Sequence, residues 1–107
     1  MFPCQQDNIV ALATPPGIGA LAVIRFSGSG LTPLYTKLTH IKNPKDRLAV
    51  FTKIYHPVTQ HLLDESVVTF FAGPNSYTGE DVFEISCHGG KSVPNNIIQA
   101  VLDSGVN

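Results

Sequence analysis

Three observations predict an α+β fold, with a mixed sheet of about five strands and two or three helices. Five short runs rich in β-branched and aromatic residues are separated by clusters of Gly, Pro, Asn and Ser, the chemistry of strands and their turns. Two other segments, Leu31 to Leu38 and Ser92 to Asp103, repeat apolar residues at spacings of three and four, which is helical. The chain has 107 residues, 43% hydrophobic and 14% charged, which fits a single domain over 1–107 with one modest core.

Asn8-Ile9-Val10-Ala11-Leu12-Ala13 reads as the first strand, ended by Thr14-Pro15-Pro16-Gly17-Ile18-Gly19, where two prolines and two glycines argue against regular pairing. Leu21 to Phe26 is the second. Its apolar run is nearly continuous, as in a strand covered on both faces, which makes Arg25 conspicuous. Ser27-Gly28-Ser29-Gly30 breaks it, and Pro33 fits only the first turn of the helix that follows. Lys42 to Arg47 is a charged surface loop, Ala49 to Tyr55 a third strand, and His56 to Gln60 a connection. Ser66 to Phe71, preceded by Leu63-Asp64-Glu65, is the fourth strand. Val82 to Cys87 is the fifth, with Val82, Glu84 and Ser86 on one face and Phe83, Ile85 and Cys87 on the other. A turn at His88-Gly89-Gly90 leads into the last helix, whose stripe is Val93, Ile97, Ala100 and Val101 and whose stop is Ser104-Gly105.

Seven basic against eight acidic residues give a net charge of −1, so no basic excess announces nucleic acid or an anionic membrane. The Lys37, Lys42, Lys45 and Arg47 run reads as a solvated loop. Low charge with abundant Gly and Pro suits a loop-rich domain that buries further surface against a partner, and self-association is expected. Cys4 and Cys87 are too few for a disulfide framework, and a reduced, cytoplasmic setting is the simplest expectation. The N-terminus lacks a basic, apolar leader and no stretch reaches bilayer length, so a soluble, unprocessed chain with no membrane contact is expected.

The densest concentration of functional residue types is Ala72-Gly73-Pro74-Asn75-Ser76-Tyr77-Thr78-Gly79-Glu80-Asp81. With Glu84 and His88-Gly89-Gly90 it makes a wall for a small ligand, against the plainer reading of a tight loop on an ordinary half-buried strand. Gly89-Gly90-Lys91-Ser92 resembles the end of a P-loop, but Ile85 stands where that motif needs Gly. The helix start behind it could receive an anion or be simply capped. Gly17-Ile18-Gly19-Ala20-Leu21-Ala22 lacks the last glycine of the dinucleotide fingerprint and enters a strand. Arg25 offers a planar fork for a carboxylate or a flat heterocycle, or an internal pair with Glu84 or Asp81. His88 could be a base or a ligand, but His40, His56 and His61 sit in separate loops and no metal spacing exists, which favours a turn histidine bonded to backbone. No nucleophile elbow or Cys-His pairing is present, so neither a catalytic set nor a metal site is assigned.

Taken together, Ile9-Val10-Ala11, Ala13-Thr14-Pro15-Pro16-Gly17, Ala22-Val23-Ile24-Arg25 with Ser27-Gly28, the Gly73 to Asp81 motif, Glu84 and His88-Gly89-Gly90 resemble, in order, the N-terminal domain of the tRNA-modification GTPase family MnmE (TrmE). That resemblance implies a fold similar to the tetrahydrofolate-binding domains of folate-dependent aminomethyltransferases. It also implies a homodimer and binding of 5-formyl-tetrahydrofolate, the one-carbon source for modifying C5 of the wobble uridine of tRNA with the flavin-dependent partner MnmG. Arg25 and Glu84 match positions that contact the folate. Glu84 would accept a paired hydrogen bond from the amidine-like edge of the pterin, and Arg25 would meet the ring, the formyl oxygen or the glutamate tail. Gly79, His88, Gly89 and Gly90 would shape the pocket.

The chain ends at Asn107, before the Arg-x-Gly-Glu-Phe-type and Asn-x-Lys segments of that family, and it carries no GTP motif. A fragment is expected, without the GTPase domain that would bring GTP, magnesium and potassium, not catalytic alone, and with direct contact to tRNA improbable from its charge. The alternatives are a purely structural dimerisation module and a free-standing folate-dependent one-carbon transferase.

Overall fold

The computed structural model describes residues 9–12, 17–73, 80–90 and 92–104. The strands are β1 (Ile9–Leu12), β2 (Gly17–Gly28), β3 (Ala49–Tyr55), β4 (Leu62–Phe71) and β5 (Asp81–Gly90), with helices α1 (Thr32–Thr39) and α2 (Ser92–Asp103). They form one five-stranded sheet in the order β1-β2-β5-β4-β3, so the class is α+β as expected. The sheet expected to be mixed is antiparallel in every strand pair. Among the described residues the one parallel contact is an isolated bridge between Asp46 and Phe70. The reason is topological: sequence neighbours β1–β2, β3–β4 and β4–β5 pair directly, and only the link through α1 carries the chain from β2 to the far edge at β3.

Alternation along the strands divides the sheet into two faces. Ala22, Ile24 and Phe26 of β2, Phe83, Ile85 and Cys87 of β5, and Val68 and Phe70 of β4 are buried together with Leu31, Leu34, Tyr35 and Leu38 beside or on α1 and Ile97 and Val101 of α2. Both helices therefore cover this one face. At its centre Phe26 stacks on Phe83, with ring centroids 4.2 Å apart, and Phe70 continues the row on the other side. Tyr35 meets Phe70 and Phe83 edge-on at 5.3 Å each, the arrangement the ring quadrupole favours. Burial also pushes the Tyr35 hydroxyl pKa above its ordinary value.

Helix α1 starts without a side-chain cap, with Pro33 in the first turn, and stops at His40 in the left-handed conformation, whose N–H bonds to Thr36 O. The His40 ring then stacks on Tyr55 of β3 at 3.9 Å and bonds Gln60 in the β3–β4 turn, tying the helix end to the sheet edge.

Three elements run further than their local residues suggest. β2 begins at Gly17 rather than Leu21, with a register shift between the two, and Gly17 pairs with Gly90. β4 extends back to Leu62 because Lys53, Ile54 and Tyr55 of β3 supply partners for Glu65, Asp64 and Leu62. β5 runs on through His88, Gly89 and Gly90, so the expected turn there is strand. Glycine facing glycine across β2 and β5 leaves room for the backbone to pair where side chains would not direct it.

Candidate functional site

The face turned away from the helices is where the charged residues converge. Antiparallel partners share a face, so Ala11, Arg25, Glu84, Thr69 and Ala49 form one row across all five strands. The next row is Val23, Ser86, Val67 and Phe51, and beyond it Leu21 lies opposite His88. Arg25, read as a charge inside a strand covered on both faces, stands instead on the face that neither helix covers. On the same face Leu21 is 61% exposed and Phe51 68%. A nearly continuous apolar run covers two faces only when the chain supplies a second layer, and the described elements put both helices on the other side.

Arg25 and Glu84 are brought together. Glu84 Oε2 accepts from Arg25 Nε and Nη2, both at 2.8 Å. The side chains are 40% and 24% exposed, so the pair is half in water and contributes about 0–1 kcal/mol to folding. Its effect is geometric: the guanidinium holds the carboxylate, and the carboxylate holds the plane of the guanidinium, on a surface with apolar neighbours.

The loop that carries the Gly73 to Asp81 motif is described only at its ends. Gly73 N–H donates to Asp81 Oδ1 at 2.9 Å, closing the base of the loop, and Ser27 Oγ reaches Glu80 Oε1 at 3.3 Å. Ala72 N–H donates to Asp46 Oδ1 at 2.8 Å. Residues 74–79, Gly79 among them, lie outside the described residues. Val82, placed by alternation on the Glu84 face, is fully buried there, between Ser27 and Phe71 of the flanking strands.

His88 belongs to a strand and its partner is a side chain. Asp64 Oδ1 lies 2.8 Å from His88 Nδ1, and Asp64 Oδ2 accepts from His88 N–H at 3.1 Å and from Ser66 Oγ at 2.8 Å. The β4–β5 ladder ends at Val67 opposite Ser86, so the Asp64 carboxylate takes over the backbone donor that β4 no longer meets. Burial pushes the Asp64 carboxyl pKa up, but the bonds from Ser66 and His88 and the nearby imidazole outweigh it, and the net direction is below the ordinary 3.8. Asp64 was missed in the sequence; the only signal was a histidine beside two glycines with no local partner. Next to His88, Cys87 is buried, with Sγ 3.5 Å from Ala22 O. Burial first, and the Asp64 charge second, push its pKa up to about 11.

Gly89 and Gly90 end β5 and lead toward α2. Among the described residues no cluster of His, Cys, Asp or Glu is disposed to hold a metal, no cavity encloses a ligand, and no helix is long and apolar enough to cross a membrane. A ligand at Arg25 and Glu84 would therefore lie against an open wall.

The family model described as "GTP-binding protein TrmE N-terminus" matches residues 8–107. The tRNA modification GTPase MnmE of Aliarcobacter butzleri is 42% identical over 101 residues, covering 94% of this chain and 22% of that protein. That of Francisella philomiragia is 46% identical over 100 residues, covering 94% and 22%. That of Campylobacter curvus is 42% identical over 106 residues, covering 99% and 24%. The chain thus spans less than a quarter of the length of these relatives.

Proposed function

We propose that this chain, which belongs to the family of TrmE N-termini, binds a formyl-tetrahydrofolate and pairs with a second copy of itself, as part of a tRNA-modifying GTPase. The one observation that carries the reading is the Arg25–Glu84 pair, held at the centre of the sheet face turned away from both helices. The residues present fit the ligand in kind. A pterin has a flat face and an edge of N–H donors, which ask for an apolar surface beside a carboxylate. Val23, Val67 and Phe51 supply the surface in the row next to Glu84.

In this reading Glu84 accepts the pterin edge, and Arg25 keeps that carboxylate aimed while reaching the ring or the formyl oxygen. Swapping part of the Arg25 contact for the ligand is cheap, because a half-exposed pair holds little energy. The folate would supply a one-carbon unit for C5 of a wobble uridine; the GTPase, the flavin-dependent partner and the tRNA belong to the assembled protein in a cytoplasmic setting. A structural dimerisation role is the second reading, favoured by the exposed apolar residues Leu21, Phe51 and Val67 on a face where the described residues enclose no cavity. A second copy laid on this face would serve both readings, covering those residues and providing the opposite wall of a ligand site.

Isothermal titration with 5-formyl-tetrahydrofolate tests the proposal. Saturable binding that weakens at least about ten-fold in Arg25→Ala and Glu84→Gln is expected, the loss of a charge-assisted hydrogen bond. Absence of binding at millimolar ligand, with a dimer still present by sedimentation, would leave the structural role in its place.

A further inference from the structure

Resting on the reading of this chain as part of a tRNA-modifying protein, but not on its folate site, we propose that the edge built by the end of α1 and the loop 41–48 is a contact surface for unpaired RNA. The His40 ring is its stacking platform, and Lys37, Lys42, Lys45 and Arg47 are its phosphate contacts. The net charge of −1 hides a segregation. Between Lys37 and His61 stand five Lys and Arg and one acid, Asp46, a local charge of +4; the rest of the chain holds two Lys and Arg against seven acids, −5. A positive edge of this kind attracts a phosphate backbone whatever the average charge of the domain. Lys53, the fifth of those cations, lies opposite Glu65 across β3 and β4 and stands apart from the surface. Lys37, Lys42 and Lys45 are exposed and form no ion pair among the described residues. Asp46 is engaged by its neighbours: Oδ1 accepts from Ala72 N–H, and Oδ2 lies 3.6 Å from Arg47 Nε.

The fold lays these charges along one line. α1 ends at His40 against Tyr55, the last residue of β3, and Arg47 N–H bonds Phe70 O, next to the residue that pairs with the start of β3. The loop therefore travels the length of the edge strand, about 20 Å, and carries Lys42, Lys45 and Arg47 along it. Stacking is what separates RNA from an acidic peptide. The His40 ring lies flat on Tyr55, with planes within 7°, and the residue is exposed. Its other face carries no ring among the described residues, so an unpaired base continues the stack. The platform is fixed before any ligand arrives. His40 is left-handed with its N–H on Thr36 O, its Nε2 meets Gln60 Oε1, and Gln60 Nε2 donates to the carbonyls of Lys37, His56 and Pro57. Lys37 precedes the ring by three residues and Lys42 follows it by two, so the phosphates flanking a stacked base meet a cation on either side.

The test titrates the chain into a fluorescein-labelled RNA stem-loop and, separately, into a fully paired RNA duplex of the same length, read by fluorescence anisotropy. The stem-loop is expected to bind at least about ten-fold tighter than the duplex, whose bases are already stacked on one another. Its log affinity should fall against log salt with a slope of about −3, four phosphate contacts at about −0.7 each. The double variant Lys42→Gln with Lys45→Gln is expected to halve that slope and to leave titration with 5-formyl-tetrahydrofolate unchanged. His40→Asn, which keeps the left-handed backbone but loses the ring, is expected to weaken the stem-loop about ten-fold at an unchanged slope, and His40→Phe to recover most of the loss. No stem-loop binding at about 50 mM salt, a slope that the lysine pair does not move, or equal affinity for stem-loop and duplex would overturn the proposal, with the folate titration judged separately. Equal losses in His40→Asn and His40→Phe would remove the stacking platform. A polyglutamate peptide that displaced the stem-loop at equal charge concentration would put an acidic protein in place of RNA.

Discussion

The two faces of the sheet are built from the same strands and have opposite fates. On one, Phe26, Phe83 and Phe70 stack in a row sealed by Tyr35 and the two helices. On the other, one residue away along each strand, lie Arg25, Glu84 and Thr69, with Leu21, Phe51 and Val67 open to water. The contrast follows a two-residue period: the closed face holds the fold together, and the open face leaves charge and apolar surface in contact with water.

The sharpest way to break that division is a pair of adjacent substitutions on β5. Phe83→Ala empties the centre of the aromatic row, where Phe83 is fully buried, and should cost about 3–5 kcal/mol. Glu84→Ala, one residue along, should cost no more than about 1 kcal/mol, because its pair with Arg25 is half-exposed. Urea denaturation followed by circular dichroism measures both. Similar losses in the two variants would mean that the open face is as structural as the closed one.

How far this division could be read from the residues differs between the faces. Ala49–Tyr55 and Ser92–Asp103 have the same bounds in sequence and structure, because local periodicity is strongest where one side is buried. Phe83, Ile85 and Cys87 alternate as expected for the same reason. The open face is harder to read, since its residues are defined by partners far along the chain. Arg25 and Glu84 are 59 positions apart, and their pairing was one of two alternatives that Arg25 itself could not decide. Gly17 opposite Gly90 has no local signature and Asp64 against His88 only the faint one of a histidine beside two glycines, so strands appear where turns were expected. The Gly73 to Asp81 motif carries the resemblance to the family, yet its middle lies outside the described residues, and its contribution to the site rests on Asp81 closing the base.

A second prediction sharpens the comparison through chemical reactivity. Cys87 lies on the closed face, and a thiol pKa of about 11 against an ordinary 9.0 leaves its thiolate at neutral pH about a hundred-fold scarcer than usual. Alkylation of Cys87 by iodoacetamide, followed by mass spectrometry of the peptide that contains it, should therefore be at least about a hundred-fold slower in the native chain than in urea. A native rate within a few-fold of the denatured one would show that β5 opens readily and that the closed face is not closed at its His88 end.

The smallest expected effect lies where the two faces meet. Asp64 is a β4 residue whose carboxylate reaches across to an exposed histidine, and its pKa is depressed below 3.8 because the bonds from Ser66 and His88 outweigh its burial. A carboxyl lowered on folding stabilises the native state fully above its unfolded value and loses that contribution as pH falls through 3.8 toward the folded value. The wild-type chain should thus lose more stability than Asp64→Asn when pH drops from about 5 to about 3, by an amount on the order of 1 kcal/mol. At neutral pH Asp64→Asn is the less stable of the two, because the amide cannot replace a charged acceptor for three donors, and the gap narrows in acid. Parallel acid limbs for the two proteins would mean that the Asp64 contacts do not survive in solution, and His88 would then be an ordinary solvated ring at the end of β5. Diverging limbs would show that the Asp64 contacts hold in solution, where a carboxylate of β4 ties down the end of β5.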